Sequence, residues 1–431
     1  MTNLLIQAIF PIKILKTLMT QYINFLTVAA LVLATSTQVT ADDWGGFRGP
    51  QGNPVTSSQL PLEWDVEKGT NIGWKSKLPG RGVSGPIVVG KRVFVTASGG
   101  VNQQRLYVLC FDVTSGKQLW RRDFWATGRT FSHPTSANAA PTPVSDGKLL
   151  FAFYSSNDLI CLDLDGNLKW YRGLAHDYPK AGNDVGMAAS PVVAGNVVIV
   201  QIENQGDSFA CAIDKNSGLE VWRKPRDPRA NWSSPTTYIH HTGAPTVILQ
   251  SGSGLNAFDA DTGQKVWDIG LSCGTVSSPL VVDNTLYVTS GGITKLDLNS
   301  SAEKPKVIWA VNKLNANGAS PVVLGDNFYA LAGAIAKGAN SNTGEILWQL
   351  RLKGRFWATP ILANNHLYFI NQDGLVQIVE LAGDGKTQTA SIVTVIDMGE
   401  SVLGTPAAAD NALFIRGDKH LWKVTDTTKV K

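Results

Sequence analysis

The chain has 431 residues, 43% of them hydrophobic and 17% charged, with 42 glycines and 13 tryptophans; that balance supports a sizeable core and excludes a disordered chain. The formal charge is +4, and because Lys13 and Lys16 lie in a leader without acids, the remainder carries +2 (+4 minus 2). No Lys/Arg cluster accompanies it, so nucleic acid is excluded as a partner on electrostatic grounds.

Residues 1–41 differ from the rest. A lysine-bearing start leads into the apolar run "INFLTVAALVLA" and then "TSTQVTADD". The run is short for a bilayer span, and Val39 and Ala41 suit the −3 and −1 positions of a cleavage site. The expectation is a signal peptide over 1–41, an exported protein, periplasmic or extracellular, and no transmembrane segment after cleavage. Residues 42–70 form an N-terminal arm, residues 71–424 a repetitive domain, and 425–431 a tail.

In the repetitive region a proline followed by small or β-branched residues recurs eight times: Pro86, Pro143, Pro191, Pro235, Pro279, Pro321, Pro360 and Pro406. Successive gaps are 57, 48, 44, 44, 42, 39 and 46 residues. Such a period signals a repeat architecture. Within the units a second motif returns as "DVTSGKQLW", "DLDGNLKW", "DKNSGLEVW", "DADTGQKVW" and, degenerate, "SNTGEILW". Its acid suits the first position of a turn whose N–H groups it accepts, and its glycine suits a left-handed residue. The strand then restarts and presents a tryptophan. Each unit thus holds four short strands, and the predicted fold is all-β: an eight-bladed β-propeller of four-stranded antiparallel blades.

The docking tryptophans are Trp74, Trp120, Trp170, Trp222, Trp267, Trp309 and Trp348. Trp267, Trp309 and Trp348 each precede the next anchor proline by 12 residues, and Trp74 precedes Pro86 by the same 12. The unit at Pro406 has room for only three strands, so the segment around Trp74 is expected to supply its fourth and close the ring. The seventh unit, with "SIVTVIDM", carries no tryptophan. Cys110, Cys161 and Cys211 occupy matching places in successive units, too far apart to bridge, and read as buried thiols; Cys273 stands alone in a loop.

Few residues point to chemistry. "DLDGNLKW" lacks the glycine and glutamate that an EF-hand loop needs. His240 and His241 read as an exposed turn, and "QSGSGLNAF" lacks the lysine of a phosphate loop. The loops before the anchors are expected to rim one mouth of the channel. They gather Arg81, His133, Asn138, Asp184, Asn231, Trp232, Asn317, Arg355 and Trp357, a set suited to a shallow polar pocket. The long loops before Pro143 and Pro191 are the candidate lid elements.

The tryptophan-docking repeat resembles that of the quinoprotein-type propellers, over nearly all of residues 64–424. "WGGFRGPQGNPV", "LPLEW" and "NIGWKSKLPGRG" resemble secreted bacterial PQQ-binding-like repeat proteins, related in fold to the barrel-assembly scaffold lipoprotein. Two activities follow from the resemblance. One is a PQQ- and calcium-dependent dehydrogenase of alcohols or sugars. Its family pattern includes a disulfide between adjacent cysteines, which this chain lacks, and no haem-attachment motif is present. The other, preferred here, is a non-catalytic binding or scaffolding propeller with no cofactor and no metal, offering its mouth to a protein, a peptide or a small polar ligand. The lipid-bearing cysteine of the scaffold lipoprotein has no counterpart near the cleavage site.

Overall fold

The computed structural model describes residues 43–182, 185–299, 304–384 and 386–428. The expected signal peptide and the end of the tail lie outside the described residues. Eight sheets, each built on four antiparallel strands in meander order, follow one another around a ring. Blade 1 comprises Ile87–Val89, Arg92–Gly99, Arg105–Asp112 and Gln118–Trp125, and blades 2 to 7 repeat that order to Asp397. Blade 8 takes Ala407–Ala409, Ala412–Arg416 and His420–Thr425 from the C-terminus and Ile72–Lys77 from the N-terminus. In that blade Lys75 pairs with Trp422 and Lys77 with His420, antiparallel. The N-terminal strand therefore closes the ring, and the sheet that would otherwise end in a bare edge is completed.

The innermost two or three strands of each blade are buried almost throughout, whereas outer strands alternate, as Glu220–Pro225 does. This is the pattern of a sheet packed on both faces near the axis and wetted at the rim of the ring. All four cysteines are free and buried. Burial pushes the Cys110 and Cys161 thiols up to about 12, which leaves them as small hydrophobes without thiolate reactivity.

The docking motif works between blades. Asp112 Oδ1 accepts the N–H groups of Thr114 and Ser115 at 3.1 and 2.7 Å, so the acid shapes the turn as its sequence position implies. Trp74 of blade 8 lies on that turn of blade 1 and donates its indole N–H to Val113 O at 3.1 Å. Trp120, Trp170 and Trp222 repeat the contact on the next blade, donating to Leu164, Lys215 and Ala260 carbonyls. The turn glycine is the seat of each ring. At Gly263 (φ 70°) an added Cβ would lie 2.6 Å from the Trp222 ring, and at Gly116 (φ 68°) 2.5 Å from Trp74. Trp309 donates to Ser341 O, and Trp348 to Gln388 Oε1. Trp267 departs from the rule: it donates to Tyr238 Oη of its own blade at 2.9 Å. The turn it would meet in blade 5 is the long "DLNSSAEKPK" segment, which has no Thr-Gly.

Blade 7 has no docking tryptophan of its own, and the N-terminal arm packs there. Trp64 is buried, with its Nε1–H directed at Met398 Sδ at 3.3 Å. Before that point the arm crosses much of the ring. Trp44 exchanges both backbone hydrogen bonds with Val88 of blade 1, and Gly45 O accepts from Ser145 N of blade 2. Arg48 donates to Pro279 O of blade 5, and Asn53 bonds Val323 of blade 6. Val55–Thr56 then adds to Ile361–Ala363 of blade 7 as a parallel fifth strand. The arm also meets Gly90, Asn364 and Asn411. These turns end the innermost strands, so the arm lies at the face opposite the anchor loops.

Candidate functional site

The residue before each anchor proline faces the axis, and in seven blades of eight it carries a hydroxyl. Gly85 N–H donates to Thr142 Oγ1 at 2.9 Å, Thr142 N–H to Ser190 Oγ at 3.0 Å, and Ser190 N–H to Ser234 Oγ at 2.9 Å. The chain of bonds continues through Ser278, Ser320, Thr359 and Thr405 at 2.9–3.1 Å. Each backbone donor is buried and meets the hydroxyl of the next blade, so the ring is held together at its axis as well as by its indoles. The circuit has one gap, at Gly85. There an added Cβ would lie 2.4 Å from Thr405 O, so the carbonyl of blade 8 takes the space a side chain needs.

Above this girdle the channel opens into a cavity of about 530 Å³. Its wall holds six of the seven hydroxyls, interleaved with Val83, Ala140, Ala188, Val276 and Leu403. Its mouth is framed by His133, Val185, Trp232 and Trp357, and Phe47 of the arm also lines it. Because the arm crosses the opposite face, Phe47 lines the inner end. Next to it Arg48 is fully buried; burial pulls its guanidinium down to about 9, and Nε and Nη1 have no hydrogen-bond partner. Arg416 of blade 8 is similar. It donates to Ser84, burial lowers it to about 10, and Nε and Nη2 are unpartnered.

The nine rim candidates separate by position. His133, Trp232 and Trp357 line the cavity. Trp357 is 48% exposed and holds Gln372 Oε1 at 3.3 Å; Trp232 donates to Gly186 O. Arg355 and Asn317 are exposed outside the lining. Arg81 bridges Ser98 and donates to Pro134 O across the first two loops. Asn138 and Asn231 point inward. Asn138 bonds Gln103 and Ser156, whereas Asn231 donates to Glu203 Oε2 and Gln250 O. Asp184 lies outside the described residues. Sequence reasoning missed the hydroxyl girdle and Phe47. The first had a visible signal, since Ser or Thr precedes every anchor proline except Pro86.

Fold and site together define a class: an eight-bladed propeller with a hydroxyl-walled axial cavity and an aromatic rim. The chain belongs to the family described as outer membrane protein assembly factor BamB, whose model matches residues 55–211, 104–330 and 300–389. It is 23% identical to the outer membrane protein assembly factor BamB of Yersinia pestis, over 84% of this chain and 90% of that protein. It is 25% identical to the quinoprotein alcohol dehydrogenase PedH of Pseudomonas putida, over 57% of this chain and 44% of that enzyme. Among solved structures, BamB from Moraxella catarrhalis superposes with a TM-score of 0.59 at 18% identity, over 81% of this chain and 96% of that one. The quinohemoprotein alcohol dehydrogenase from Comamonas testosteroni superposes at 0.67 and 11% identity, over 90% of this chain and 81% of that one. The enzyme scores higher, but at such identity both superpositions show the fold alone, and one propeller hosts unrelated activities.

PQQ with calcium, which the quinoprotein resemblance implies, does not fit the cavity. Calcium takes roughly six to eight oxygen ligands with carboxylates prominent, and no Asp, Glu, Asn or Gln lines the cavity among the described residues. No group of three or more His, Cys, Asp or Glu side chains stands close enough to hold a metal among those residues.

Proposed function

We propose that this protein is an exported, non-catalytic scaffolding propeller whose loop-lined mouth receives a segment of a protein partner. The observation that carries the reading is the character of the rim. Trp357 at the mouth is 48% exposed, with Val185 beside the same opening, and Phe131, two residues before His133 of the lining, is 56% exposed. Exposed aromatics at a concave mouth are typical anchors of recognition sites. Among the described residues, no pair of acid and base faces the cavity to perform general acid–base work. Membership of an assembly-factor family supports the same reading. No helix among the described residues is long and apolar enough to cross a membrane.

The test compares crosslinked complexes captured from the native envelope by the wild type and by Trp357→Ala with Phe131→Ala. A partner enriched by the wild type should fall at least tenfold with the double variant; equal recovery would remove the rim from the site. In parallel, calcium should not tighten any uptake of PQQ by the purified protein, and no alcohol-dependent dye reduction should follow. Stoichiometric uptake with dye reduction would reverse the reading in favour of the dehydrogenase.

A further inference from the structure

We propose that the axial cavity beneath the rim is itself a binding site, for a compact small molecule with an apolar body and hydrogen-bond acceptors, and that it excludes cations. The inference goes beyond the partner-binding rim and does not depend on it. At about 530 Å³ the cavity has the size of a small-molecule site, such sites running roughly 300–1,000 Å³. Phe47 of the arm lines it from the side away from the mouth, so a ligand entering from the mouth meets the arm at the inner end.

Six of the polar groups on its wall share one character. The six hydroxyls of Thr142, Ser190, Ser234, Ser278, Ser320 and Thr405 each already accept a backbone N–H from the neighbouring blade. None of their hydroxyl hydrogens is given to a protein acceptor among the described residues. A hydroxyl carries one donor proton, so the girdle offers a circle of donors toward the axis. Two buried guanidinium groups stand close behind the lining. Arg48 follows Phe47 in the chain, and its Cζ lies 5.1 Å from that ring's centroid; Arg416 holds Ser84, next to Val83 of the wall. Each leaves two nitrogens without an acceptor among the described residues. With no carboxylate on the wall among the described residues, these guanidinium groups bias the cavity toward positive potential, and low-dielectric walls strengthen the bias. Acceptors are therefore favoured and an ammonium group is repelled. Phe47, Trp232 and Trp357 supply flat aromatic surface for the ligand's body.

Three probes that share one ring system test this: 2-acetylnaphthalene, 2-naphthoate and 2-(aminomethyl)naphthalene, titrated by calorimetry into the purified protein. The ketone and the carboxylate are expected to bind saturably, one per chain, and the amine at least tenfold more weakly. Ala188→Phe and Val276→Phe place bulk in the cavity from two sides, and each should raise the Kd of the ketone at least tenfold. A second variant keeps the test decisive if one fails to show the wild-type unfolding transition. Equal or tighter binding of the amine, no saturable binding of any probe, or indifference to both variants would overturn the proposal. Failure to capture a partner at the rim would leave these titrations untouched, so the two readings fail separately.

Discussion

At the scale of single residues, Gly263 shows how one position serves two demands. It follows the turn that Asp259 shapes by accepting Thr262 N–H at 2.8 Å, and it adopts φ 70°. The sequence pattern accounts for that much, because an Asp followed by Thr-Gly is a turn with a known geometry. The second demand comes from the neighbouring blade: the Trp222 ring rests where a Cβ would project, 2.6 Å away. No local pattern reveals it, since the ring arrives from 41 residues earlier (263 minus 222). Comparison with Gly147 separates the two effects, for that residue has φ 87° and nothing within 4 Å of an added Cβ. Gly147→Ala should cost only backbone strain, about 1 kcal/mol. Gly263→Ala should add the displaced indole and cost about 2–3 kcal/mol, with red-shifted tryptophan emission. Urea unfolding of both variants provides the measurement, and equal midpoints would mean the glycine serves the turn alone. The rim candidates were less legible for a related reason. Asn138 and Asn231 look like loop amides in sequence, but they satisfy buried donors and acceptors of the loops themselves.

At the scale of strands and blades, neighbouring units are joined at two radii. Indoles wedge them near the outside, and the N–H to hydroxyl bonds link them at the axis. The outer contact was readable because tryptophan is rare and its spacing to the next proline is nearly constant. The axial one was equally present, as Ser-Pro or Thr-Pro, but a hydroxyl before a proline is common enough to pass as composition until its partner across the blade boundary is known. Thr359 tests the axial link cleanly, being buried and absent from the cavity wall. Thr359→Val keeps the shape and removes the acceptor of Ser320 N–H, now 3.1 Å away. Leaving a buried donor unpaired costs about 1–3 kcal/mol. Thr359→Ser should recover most of it, because the oxygen returns. A valine variant as stable as the wild type in denaturant would show that the girdle is decorative.

At the scale of the whole molecule, closure and plugging are done by adjacent pieces of the same N-terminal segment. The closing strand was legible from the 12-residue interval between Trp74 and Pro86, together with a last unit one strand short. The path of residues 43–64 was not, because it has no periodicity and its contacts are scattered over six separate blades. Two truncations separate the roles. A chain beginning at residue 69 keeps Ile72–Lys77 and the Trp74 wedge but loses Trp44, Phe47, Trp64 and the parallel strand Val55–Thr56. It should fold as a monomer with a lowered unfolding temperature, since the buried Trp44 and Trp64 are removed, and its channel should be open at both ends. A chain beginning at residue 79 also loses the fourth strand of blade 8. His420–Thr425 then becomes an unpaired edge, and the Asp112–Gly116 turn of blade 1 loses the ring it seats. An exposed edge of that kind pairs with other chains, so this truncation should self-associate or unfold, as read by light scattering and a broadened thermal transition. If both truncations were equally stable and monomeric, the ring would be closed by something other than its first strand. A difference confined to the second would place closure in residues 72–77 and leave the arm the separate task of sealing the cavity from the opposite face.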